Sequence, residues 1–63
     1  MSTDSAAELP EDRRQAIFAE LVHAQDSGLT VPASREAVAA RHGVSVEVVR
    51  AIEREGLEND WLA

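Results

Sequence analysis

A chain of 63 residues without cysteine has room for one domain, near the size below which an apolar core no longer holds a fold unaided, and it excludes disulfide staples, thiolate zinc sites and cysteine nucleophiles. The formal net charge of -6 argues against a broadly basic, polyanion-binding surface. No apolar run approaches the ~18 residues that span a bilayer, and MSTDSAAELPED is acidic where a secretory signal is basic and then apolar, so a soluble, cytoplasmic chain is expected.

Residues 1–9 mix Ser, Thr, Ala and acid without periodicity, which predicts a flexible acidic lead. Helix 1 is predicted from Pro10, whose fixed φ suits a first turn, with Glu11 and Asp12 at the positive end of the dipole. Its inner stripe is Ile17, Phe18, Leu21 and Val22, and Gly28 marks its end. Leu29 is expected to fold inward, with Thr30 or Ser34 opening helix 2 and Pro32 in its first turn. Helix 2 runs through Ala37, Val38, Ala39 and Ala40 to His42, an alanine-rich face that permits close approach but buries little area alone. Helix 3 is predicted from Val46 to about Glu55, opened by Ser45 with Glu47 near its start, and closed by Gly56 as a left-handed cap after which Leu57 folds back. No strand pattern or repeat interrupts this series.

The stretch from Arg35 to Arg54, REAVAARHGVSVEVVRAIER, carries the sharpest pattern. Two helices crossing at a tight turn need a small residue at the crossing, a residue that accepts positive φ in the turn, and apolar side chains at fixed offsets. Ala39, Gly43 and the set Val38, Val44, Val49 and Ile52 occupy those places. The expected fold is an all-α three-helix bundle of helix-turn-helix type with a short C-terminal extension: lead 1–9, domain 10–57 and tail 58–63.

Charge is unevenly spread. Asp4, Glu8, Glu11 and Asp12 at one end and Glu55, Glu58 and Asp60 at the other account for the acidity, whereas from Arg35 to Arg54 four arginines face Glu36, Glu47 and Glu53. With Val49 and Ile52 inward, Glu47, Arg50, Ala51 and Arg54 point outward on helix 3 and Val46 and Val48 lie on its flanks. The second helix of such a unit enters the major groove by its first turns, so Ser45, Val46, Glu47, Arg50 and Ala51 are the candidate readers of double-stranded DNA. Arg50 suits guanine or a phosphate, Glu47 a cytosine amino group, and Val46 a thymine methyl, with Arg54, Arg41 and Arg35 toward phosphates. A paired alternative sets Arg50 and Arg54 against Glu47, Glu53 or Glu58 on a solvated face.

The run HGVSVEVVRAIEREGL resembles the helix-turn-helix of bacterial sigma-factor region 4, which reads the promoter -35 element. Gly43, Val44, Ser45, Glu47, Arg50, Ile52 and Glu53 stand at matching places, and the resemblance implies readout by Ser45, Glu47 and Arg50. The chain departs from that pattern at Val46, Val48 and Ala51, where basic or amide side chains are usual, and in the tail LENDWLA, which replaces a basic one.

A rival reading comes from the C-terminus. Leu57, Trp61 and Leu62 fall at i, i+4 and i+5, an apolar edge containing the single Trp. Trp61 either packs on helix 1 near Phe18, the favoured cover, or anchors a second subunit or partner, with Val46, Val48 and Leu62 enlarging the patch. On this reading the chain is an acidic adaptor that grips a protein such as transcription machinery. Neither reading calls for a cofactor, a metal or an enzyme: His23 and His42 lie on different helices without partners at ligand spacing, and Glu53 and Glu55, two apart, face different sides of a helix. The combined expectation is a small DNA-binding regulator acting as a homodimer, since one weakly basic module binds a half-site feebly.

Overall fold

The computed structural model describes residues 9–61; Asp4, Glu8 and the rest of residues 1–8, together with Leu62 and Ala63, lie outside the described residues. Three helices follow one another, α1 (Glu11–Asp26), α2 (Val31–His42) and α3 (Val46–Glu58), and each packs against the other two, giving the all-α three-helix bundle. Ile17, Phe18 and Leu21 from α1, Val38 and Ala39 from α2, and Val48, Val49 and Ile52 from α3 form one buried core, flanked by Leu9, Val22, Val44 and Trp61. Full burial of a side chain of this size contributes about 1.5–3 kcal/mol, so the core supplies the main favourable term. No helix among the described residues is long and apolar enough to cross a membrane.

The helices begin and end for local reasons. Thr30 caps α2 by accepting from the Ala33 N–H at 3.2 Å, Pro32 sits in the first turn where its missing N–H costs nothing, and Ser45 caps α3 by accepting from the Val48 N–H at 3.2 Å. All three helices stop by one device: a residue with positive φ, followed by an N–H that reaches back to the carbonyl five residues earlier. The residues are Gly28 (φ 107), Gly43 (φ 66) and Asp60 (φ 58), and the bonds run from Leu29 to Ala24, Val44 to Ala39 and Trp61 to Gly56.

The third of these stops corrects the expected end of α3. Gly56 is not a left-handed cap; it is buried inside the helix, and Asn59 and Asp60 take over termination four residues later. The reason is steric. Phe18 of α1 lies on the Gly56 backbone so closely that a methyl group there would overlap its ring, and Trp61 closes over Phe18 edge-on at 5.8 Å between centroids. Trp61 therefore packs where expected, on α1. Because the helix continues, Leu57 does not fold back but stands 61 % exposed.

Three further expectations are revised. Val48, placed on a flank and in the partner patch, is fully buried and belongs to the core. Leu29 is 40 % exposed, its N–H tied to Ala24 while its side chain stays outside. Ser34 is not a cap: it lies wholly buried in α2, donating to the Val31 carbonyl at 2.8 Å and accepting from Gln25 at 3.1 Å, which satisfies its hydroxyl.

Replacing Gly56 by Ala sets the overlap with Phe18 against the better helix propensity of alanine. Gly56→Ala is expected to lower unfolding free energy by roughly 1–3 kcal/mol in urea titration, where an exposed helix glycine would gain about 1. Unchanged or raised stability would show that the Phe18 contact does not dictate the glycine.

Candidate nucleic-acid interface

The corner between α2 and α3 fixes the candidate face. Gly43 in the left-handed region (φ 66, ψ 32) lets its own N–H and that of Val44 close on the Ala39 carbonyl, and Val44 plugs the angle against the core. Ser45 then opens α3 at once, its carbonyl accepting from Val49 as its hydroxyl accepts from Val48. Of the expected readers, Ser45 is thus half-buried and committed as a cap, Val46 is 37 % exposed, and Glu47, Arg50, Ala51 and Arg54 are all exposed along one side of α3.

Each pair of helices is joined by a carboxylate, and these joints decide which arginines remain available. Between α1 and α3, Arg14 holds Glu55 through Nε at 2.8 Å and Nη2 at 3.0 Å, a fork that raises the Arg14 guanidinium further above its ordinary pKa, the Glu55 hydrogen bond being the largest cause. Between α2 and α3, Arg35 puts Nε and Nη2 on one oxygen of Glu53, at 3.0 and 2.7 Å. Between α1 and α2, Glu20 meets His42 at 2.7 Å and Arg41 at 3.3 Å, while Arg13 donates to the His42 carbonyl at 3.3 Å.

Four of the six arginines are thereby occupied, and Arg35, expected at phosphates, is a brace between helices. Arg41 remains 77 % exposed beyond its contact with Glu20 and still faces solvent. Among the described residues no carboxylate lies within ion-pair distance of Arg50 or Arg54. The alternative in which these two pair with Glu47, Glu53 or Glu58 does not form; Glu53 is held by Arg35 instead. Their side chains form a ridge between two shallow depressions: one of about 280 Å³ lined by Glu47, Arg50, Ala51 and Arg54, the other of about 440 Å³ lined by Arg35, Arg50, Glu53, Arg54, Leu57 and Glu58.

The structure separates the residues proposed for partner contact. Trp61 is packed on Phe18, Val48 is core, Leu62 lies outside the described residues, and only Val46 remains on the surface. Leu57, like Leu29, is an exposed apolar residue that sequence reasoning turned inward, in its case because a glycine before it read as a helix stop. Glu53 and Glu55 point to different helices, and among the described residues no group of three His, Asp or Glu side chains is placed to hold a metal. Comparison with protein-family models, curated proteins and solved structures finds no match to this chain.

The Arg35–Glu53 brace is tested by a double-mutant cycle with Arg35→Met and Glu53→Gln. Both side chains are mostly covered, at 27 % and 19 % exposure, so a coupling of about 0.5–1.5 kcal/mol is expected, above that of an exposed pair. Coupling indistinguishable from zero would mean that Arg35 is free to act elsewhere.

Proposed function

We propose that this chain binds double-stranded DNA through α3, acting as a small transcriptional regulator in the cytoplasm. The observation that carries the reading is the pair Arg50 and Arg54, two guanidinium groups without an ion-pair partner among the described residues, on the exposed side of a helix that begins at a capped, glycine-set corner. A protein with twice as many acids as bases whose described carboxylates leave two cations unpaired on one helix face presents them to an external anion. With the first turn of α3 in the major groove, Val46, Glu47, Arg50 and Ala51 lie toward base edges, Arg50 donates to guanine or phosphate, and Arg54 and Arg41 reach the backbone. Ser45 acts by fixing the start of the helix. The resemblance of residues 42–57 to sigma-factor region 4 agrees with readout centred on Glu47 and Arg50.

The same inventory limits affinity. Two free arginines neutralise about two phosphates per copy, against the repulsion of a net charge of -6, so a homodimer on paired half-sites is the form that binds usefully. The second reading, an acidic adaptor for a protein partner, is favoured by the exposure of Leu57 beside these arginines.

Fluorescence anisotropy with a random duplex at several salt concentrations tests the proposal. The logarithm of the binding constant is expected to fall with the logarithm of salt with a slope of about -2 per bound copy, and binding is lost in the Arg50→Ala, Arg54→Ala double variant. Absence of binding at low salt, or binding that the double variant retains, refutes it.

A further inference from the structure

We propose that the 440 Å³ groove beside the C-terminal half of α3 docks a short acidic segment of a partner protein, with one of its apolar side chains seated on Leu57. The proposal rests on the protein-partner reading and shares Arg50 and Arg54 with the DNA one, but its apolar anchor is separate: Leu57 lies eleven residues beyond Val46, roughly 16 Å along the helix axis from the turn proposed to enter a groove of DNA.

Three features select the occupant. Leu57 is the most exposed of the large apolar side chains among the described residues, and a phosphate backbone offers nothing that would cover it, whereas a peptide side chain does. The groove also reverses the sign of the chain. Arg35 and Glu53 neutralise one another in its wall, which leaves Arg50 and Arg54 against Glu58 alone, a local excess of one positive charge in a protein of net charge -6. A ligand flanking an apolar residue with carboxylates meets that pattern, and a basic ligand does not. Finally, the wall is already built: the Arg35–Glu53 bonds hold α2 against α3, so little ordering is left to the binding step.

The probe is a fluorescein-labelled peptide Glu-Asp-Phe-Leu-Glu-Asp, compared with the same peptide carrying Ser in place of Phe and Leu, both titrated with the full chain at low salt. The apolar peptide is expected to bind at least about tenfold more tightly than its Ser counterpart, a decade in affinity being ~1.4 kcal/mol, close to the lower end of what burying one apolar side chain supplies. Leu57→Ser, a change at an exposed position, removes that preference while helix content and duplex binding stay as they were. The Arg50→Gln, Arg54→Gln double variant abolishes binding of both peptides. Equal affinity for the two peptides, no binding of either, or indifference to Leu57→Ser overturns the proposal. So does a sedimentation mass that falls from dimer to monomer in Leu57→Ser, which would make a second copy the occupant. A chain that binds peptide but no duplex sinks the DNA reading and leaves this one standing; the reverse result sinks this one alone.

Discussion

The left-handed turn at Gly43 is the constraint on which the geometry of α2 and α3 rests. An L-residue with a side chain pays about 1–2 kcal/mol in that conformation, and glycine avoids it. Given the turn, the Ala39 carbonyl is closed by two N–H groups, Val44 falls into the angle, and Ser45 is already at the start of the next helix. One residue thus converts two short amphipathic segments, neither of which would persist alone, into a rigid pair with a defined outer face. The core draws on this placement: Val38 and Ala39 on one helix and Val49 and Ile52 on the other share one buried cluster with α1.

Charge is then distributed by packing. In a protein this small, three carboxylates are set where helices meet, and each takes an arginine from another helix: Glu55 takes Arg14, Glu53 takes Arg35, and Glu20 takes Arg41 and also meets the His42 imidazole. These pairs contribute modestly to stability at their exposure, but they determine which positive groups remain for other uses. Among the described residues Arg50 and Arg54 are left, next to one another, on the one helix whose start is set by the corner. The functional reading grows out of that remainder.

Local chemistry made much of the fold legible in the sequence. The cap at Ser45, the stop at Gly28, the corner at Gly43 and most of the core depend on a few neighbouring residues and on helical periodicity and stood out, with Thr30 one of two candidates to open α2. Trp61 on Phe18 was also anticipated, as the cover that a large aromatic needs. What failed was tertiary in origin. Gly56 carries the signature of a helix stop, yet it is there because a ring from α1 needs the space, and that error displaced Leu57 from the surface it occupies. Val48 sits on the margin of the inward stripe, and only the position of α1 decides that it is buried. For the candidate site, the outward direction of Glu47, Arg50, Ala51 and Arg54 followed from the wheel, whereas the capture of Arg35 by Glu53 and of Arg14 by Glu55 spans 18 and 41 residues and leaves no local signal.

The central claim is that one rigid frame holds Arg14 and Arg35 in place and leaves Arg50 and Arg54 free for an external anion. Nitrogen-15 spectra of the arginine side chains, recorded while a short duplex is titrated in, address it directly. The account predicts that the Nε resonances of Arg50 and Arg54 move with added duplex while those of Arg14 and Arg35, held by their carboxylates, stay fixed. Resonances that all remain still, or that all move together, would contradict it.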